Sequence, residues 1–263
     1  GQLGLDPKLL RWNDTATVGA DQWLDQARQC GFPELDPEII RDRHGDWSGQ
    51  WLHAASRTDD DDAKCPDEVW QWIQSARRHP DLGKPPAYYA VLMIDGDHLG
   101  AWLRGERSPR VSEVLHPKMV EYFQSLKGAN GNPLPAVVSG LAAKRPVGPA
   151  LHAALSESLA NFALRFVPGV VARHHGTLIY AGGDDVLALL PTATALACAL
   201  ELRDTYCSDW KKDAEGREWL LMGSRATLSG GLAIVHHKED LRFALEQARE
   251  AERRAKSAGR DAL

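Results

Sequence analysis

Cysteine is scarce and poorly spaced for chemistry. Only four occur in 263 residues, at positions 30, 65, 198 and 207. No two form a Cys-x-x-Cys pair, which excludes a zinc ribbon and a disulfide framework and leaves reduced thiols. No apolar run approaches the ~20 residues that cross a bilayer; the longest, Ala87 to Ile94, is far shorter. The first 30 residues hold no signal-peptide core, so the expectation is a soluble, cytoplasmic protein without a membrane partner. An excess of basic charge is missing too. The formal net charge is −5, which argues against broad electrostatic capture of nucleic acid. Residues 1–84 carry the imbalance, with 10 Lys/Arg against 16 Asp/Glu, and the remainder is near neutral. Any nucleotide site has to be small and focused on a few charged groups.

Apolar residues make up 43% of the chain, enough for a sizeable core. Six of the nine tryptophans (12, 23, 47, 51, 70 and 72) fall in residues 1–84, which read as a helical, loop-rich segment. Val69, Trp70 and Ile73 predict a short amphipathic helix after Pro66, and the acidic run Asp59 to Asp62 reads as a solvated loop. Gly83-Lys84-Pro85-Pro86 marks the boundary to a second domain, 85–263. That domain opens on a buried strand, Tyr88 to Ile94, ending in Asp95-Gly96-Asp97. Residues 105–150 are rich in Gly and Pro and read as an insertion, with a helix near Pro117 to Leu126. Leu151, Leu155, Leu159, Phe162, Phe166 and Val170 then share one helical stripe, kinked or ended by Pro168.

The stretch Thr177 to Pro191 predicts a β-hairpin. Two apolar runs flank Gly182-Gly183-Asp184-Asp185, and their lack of alternation predicts strands covered on both faces, central in a sheet. A helix capped by Thr192 should follow to about Tyr206, burying Leu196, Ala199, Leu200 and Leu202. Ala226 to Val235 predicts a strand, and Glu239 to Ser257 a helix with a small inner face of Ala244, Ala248, Ala251 and Ala255. The order of elements fits an α+β fold, an antiparallel sheet with helices on one side, in the ferredoxin-like or palm arrangement.

In such a sheet Asp95 and the hairpin tip are neighbours. Three converging carboxylates repel by roughly 4 kcal/mol per close pair at an effective dielectric near 20, a heavy load for a marginally stable fold. Two divalent ions, magnesium or manganese, would relieve it and serve phosphoryl chemistry on a nucleotide. The plain alternative is a polar turn at Asp184-Asp185 and a strand-end Asp95.

Four segments carry a family resemblance: VLMIDGD (91–97), AGGDDVLALLP (181–191), ATLSGGLA (226–233) and AREAERRAKSAGR (248–260). Together they resemble the palm domains shared by GGDEF nucleotidyl cyclases and the large polymerase-like subunit of type III CRISPR effector complexes, over roughly residues 87–261. The cyclases' DxDxFKxxND segment would place lysine at 100 and asparagine at 103, where this chain has Gly100 and Leu103. Their second guanine reader falls on Ser156, so the resemblance leans to the CRISPR branch, nearest its Cmr-type subunit. It implies joining ATP into cyclic oligoadenylates. It also implies Asp95, Asp184 and Asp185 as metal-binding and catalytic residues and Lys256 and Arg260 as phosphate contacts, with Ser156 facing adenine and Gly96, Gly182 and Gly183 beside the nucleotide. Partners implied are ATP, a second palm (a homodimer or part of a larger subunit), and other CRISPR subunits with guide and target RNA. Lys256 and Arg260 also read as ordinary basic residues at a helix C-terminus, and Ser156 as a helix-surface serine. His98, His174-His175 and His236-His237 read as loop or surface residues. No histidine precedes an aspartate, so the family's nuclease motif is absent from the chain. A non-catalytic scaffold and a cyclic-dinucleotide synthase are the two rival readings.

Overall fold

The computed structural model describes residues 12–56 and 64–263; the acidic run Asp59 to Asp62 lies outside them. The chain forms two compact units, one of residues 1–97 with 159–263 and one of residues 98–158.

The first unit begins with α1 (Thr15–Gln29), α2 (Pro37–His44), a 3-10 turn (Gly49–Leu52) and α3 (Asp67–Arg78). Asp14 starts α1 by accepting from Thr17 N (2.7 Å), and its second oxygen accepts from Gly49 N (2.7 Å). One cap thus ties two turns together. The tryptophans explain themselves here: Trp23, Trp47 and Trp51 are buried with Leu24, Ile40 and Ile73 in a core of their own. Trp47 Nε1 donates to Thr17 Oγ1 (2.8 Å), the partner that a buried indole needs. Helix α3 follows Pro66 as expected.

Strand β1 (Tyr88–Gly96) is followed by the second unit, which holds α4 (Leu99–Leu103), α5 (Val111–Val114), α6 (Pro117–Ser125), α7 (Pro135–Ala142) and the start of α8 (Pro149–Asn161). Helix α6 matches its expected span. The apolar stripe does not stop at Pro168. It passes through a π-helical turn, Phe162–Phe166, where Val167 N donates to Phe162 O, and continues as α9 (Val167–Arg173). The wider turn sets Pro168 in the first turn of α9, where its missing N–H costs nothing.

The hairpin strands are β2 (Thr177–Gly182) and β3 (Asp185–Pro191), followed by α10 (Thr192–Tyr206), a small pair β4 (Trp210–Lys212) and β5 (Glu218–Leu220) that the sequence did not announce, β6 (Leu228–His236) and α11 (Leu241–Ser257). The main sheet runs β2-β3-β1-β6, every pair antiparallel. This is the ferredoxin-like palm order. Three expectations need correction. β2 is an edge strand, not a central one, with a register break between Leu178 and Tyr180 and with Ile179 and Tyr180 turned to solvent. The cap of α10 is Pro191 rather than Thr192, and Leu196 and Leu200 are exposed while Ala195, Cys198, Ala199 and Leu202 are buried. Helices cover both faces of the sheet. Val18 of α1 and Ala244 and Ala248 of α11 pack on Tyr89, Val91 and Leu189, whereas Tyr206 of α10 lies against Gly96, which has the opposite strand parity.

Candidate metal and nucleotide site

The site forms where β1 ends beside the β2–β3 turn. Gly182 pairs with Asp185, leaving Gly183 and Asp184 as the two central residues. Gly183 has φ +84°, and that positive φ at the first central position is the demand of a II′ hairpin. The turn aims Asp184 inward, where it is 9% exposed, and leaves Asp185 at the surface. On β1, Asp95 follows Tyr89, Val91 and Met93 on the face shared with α11. Asp95, Asp184 and Asp185 each present a carboxylate oxygen within 4.8 Å of the others. The three residues singled out from separate stretches of sequence converge.

Gly96 makes the convergence possible. A Cβ there would meet Tyr206 Oη at 2.5 Å and Asp184 Cβ at 2.7 Å, so its role in the structure is to let strand and turn close on each other. Burial raises the carboxyl pKa of Asp184, and the charge of Asp185 raises it further; burial raises Asp185 as well. Tyr206, packed beneath, is pushed far up by burial and then by Asp184, so it stays a neutral phenol.

Helix α11 brings the countercharge. Lys256 Nζ pairs with Asp95 Oδ2 and lies 2.8 Å from Glu252 Oε1. Burial, and then the nearby Arg260, pull the ammonium below its ordinary value. Arg260 Nη1 lies 3.4 Å from Asp97 Oδ1. Gly182 is exposed at the end of β2, and Ser156 is exposed on α8 in the other compact unit. A cavity of about 300 Å³ opens in front of Asp95 and Asp185, also lined by Tyr180, Arg249 and Glu252.

Sequence reasoning missed four of these residues. Glu252 is a further carboxyl whose pKa burial and Asp185 raise, and Arg249 is a cation facing the cavity. The spacing 249, 252, 256 puts them on one helical face with Lys256, a signal that was available. Tyr206 is the third. The fourth, Asp97, is 2% exposed and accepts from Thr227 Oγ1 (2.8 Å), Ser229 Oγ (2.9 Å) and Asp261 N (3.0 Å). The second carboxylate of Asp-Gly-Asp therefore anchors the C-terminal turn, in which Arg260 and Asp261 hold φ of 68° and 50°. Such left-handed non-glycine residues persist only where surrounding bonds fix them.

The donor set suits a hard cation. Closely spaced carboxylates at the surface end of a buried strand, destabilised by their own mutual charge, are what magnesium or manganese relieves. Among the described residues this is the one cluster of this kind.

Residues 88–263 match the family described as Cas10/Cmr2, second palm domain. The CRISPR system Cmr subunit Cmr2 of Pyrococcus furiosus is 38% identical over 183 residues, covering 70% of this chain and 18% of that protein. The chain thus spans less than a fifth of this curated relative. The type III-B Cmr-beta structure in its apo state is similar with a TM-score of 0.57 at 17% identity, over 98% of this chain and 34% of that one. Cmr-beta bound to cognate target RNA gives 0.58 at 16% identity, over 91% and 32%. At these identities the likeness to the solved structures is one of fold.

Proposed function

The chain belongs to the Cas10/Cmr2 second palm domain family, and from that membership we propose that it is the catalytic palm of a metal-dependent nucleotidyltransferase, joining ATP into cyclic oligoadenylates within a cytoplasmic type III CRISPR effector assembly. The observation that carries the reading is the convergence of Asp95 with Asp184 and Asp185. Two divalent ions, magnesium or manganese, would supply charge neutralisation at the triphosphate and acidify the attacking 3′-hydroxyl. Asp95, Asp184 and Asp185 are the residues to hold them. Lys256, released from Asp95, offers its charge to the phosphate tail together with Arg249 and Arg260. Gly183 leaves the hairpin backbone open to close approach of phosphate, Gly182, with Tyr180 lying against it, is assigned to the nucleotide's margin, and Ser156 is assigned to adenine. Fixed charge and positioning, not a covalent enzyme intermediate, lower the barrier in this scheme.

Joining two nucleotides needs a 3′-hydroxyl on one presented to the α-phosphate of another, so the palm works opposite a second palm. In this reading residues 85–263 are the transferase, and residues 1–84 dock other subunits that carry guide and target RNA. A scaffold reading draws on one observation: the Lys256–Asp95 pair already balances one of the carboxylates. It predicts nucleotide binding without turnover, even when a second palm is supplied. Incubation with ATP and manganese, with products read by mass spectrometry, decides the matter. The proposal expects rings of three or more adenylates, lost in Asp184→Ala and Asp185→Ala; rings of two would favour the dinucleotide synthase. Product that survives both substitutions would overturn the site.

A further inference from the structure

A second cluster sits at the far end of the sheet. Tyr88 pairs with His236 where β1 begins, and Asp95 lies seven residues further along that strand, roughly 23 Å away at strand rise. Here three imidazoles gather. His53 and His237 stack with ring centroids 4.5 Å apart at 23°, and His236 lies 4.5 Å from His237. A cavity of about 420 Å³ opens among them, lined also by Arg77, Lys84 and Lys238. Among the described residues, no acidic side chain lines it. Lys84 and Lys238 are exposed, and neither is ion-paired among the described residues. His53 Nε2 is buried without a hydrogen-bond partner among the described residues. His236 Nδ1 accepts from Lys238 N (3.2 Å), which leaves Nε2 as that ring's donor.

Burial, and then neighbouring imidazoles and cations, lower His53 and His237 to about 4. At neutral pH His53 and His237 are therefore uncharged faces and hydrogen-bonding groups, and Arg77, Lys84 and Lys238 supply positive charge. The carboxylate acting on the pair among the described residues, Asp14, is occupied by the backbone N–H groups of Thr17 and Gly49. A concave site with cations at its margin, a spare buried ring nitrogen and no opposing acid among the described residues is built for an anion with several oxygens. Tyr88, exposed and edge-on to His236, adds an aromatic surface at its margin.

We propose that the pocket among His53, His236, His237, Lys84 and Lys238 is a phosphate-binding site separate from the carboxylate cluster. The phosphate has two sources that fit the same chemistry, the backbone of single-stranded RNA and a free pyrophosphate. The site does not depend on the transferase reading, because it shares no residue with the carboxylate cluster or its cavity.

The test uses the whole chain carrying Asp184→Ala, in EDTA, so that metal-dependent nucleotide binding is silenced. Two probes are compared: a fluorescein-labelled RNA of about twelve nucleotides by anisotropy and sodium pyrophosphate by calorimetry. Binding of either probe, weakened by about tenfold or more on adding Lys84→Gln and Lys238→Gln, is the expected result, and whichever probe binds identifies the source. For RNA, the slope of log affinity against log salt should fall by about 1.4, two contacts at about 0.7 each for a single strand. Both lysines are exposed, so the variant should keep the parent's melting temperature. Failure of both probes to bind, or binding unchanged in the lysine variant, would overturn the proposal.

Discussion

At residue level the account turns on how closely the β1 end and the hairpin approach. Gly96→Ala puts a methyl group into the space of Tyr206 Oη and Asp184 Cβ. It should cost about 1–3 kcal/mol of stability and reduce metal affinity more than truncating an exposed residue does, as read by thermal melts with and without manganese. Asp97→Ala strips the partner from two hydroxyls and the N–H of Asp261; a loss of about 2–4 kcal/mol is expected, together with early proteolysis of the last residues. The raised carboxyls of Asp184 and Asp185 give a pH signature. A carboxyl whose folded pKa lies above its unfolded value stabilises most below the unfolded value near 3.8, and that contribution is lost as pH rises through the folded value. Without metal, Asp184→Asn should therefore melt higher than the parent at pH 7, and the gap should shrink toward pH 4. Manganese should raise the parent's melting point at pH 7 and leave the variant's nearly unchanged.

Among the elements, the sequence was most legible where its pattern was dictated locally. β1, β3 and α11 lie within a few residues of expectation, because a buried strand must be apolar and a helix face carrying Ala244 and Ala248 must pack closely. The closeness is measurable: a Cβ on Gly231 would lie 2.2 Å from Ala248 O. Gly231→Val should cost about 1–3 kcal/mol, visible as a lower denaturant midpoint with an unchanged slope. β2 defeated the reading because an apolar run looks the same on an edge as in the centre; only the pairing partner distinguishes them. The Leu196 and Leu200 assignment failed for a related reason. A helix with apolar residues around much of its circumference does not announce which stripe faces the sheet, and here the smaller Ala195, Cys198 and Ala199 do. Asp97 was invisible as an anchor because its partners, Thr227, Ser229 and Asp261, are more than a hundred residues away in sequence.

For the molecule as a whole, the Trp-rich segment and the palm sheet share α1, whose Val18 packs on the sheet core while Trp23 and Leu24 belong to the N-terminal core. No sequence period reports that a helix serves two cores. Removing residues 1–84 should uncover Tyr89, Val91 and Leu189, and the remaining chain should lose its cooperative melt and bind a hydrophobic dye. No helix among the described residues is long and apolar enough to cross a membrane. The central claim is that Asp95, a distant residue in sequence, shares divalent ions with Asp184 and Asp185. Manganese titrated into the whole chain with ATP present and followed by electron paramagnetic resonance tests it most directly. About two ions per chain with a spin-coupled spectrum are predicted, and Asp95→Asn should abolish the coupling; coupled manganese that persists undiminished in Asp95→Asn would contradict the account.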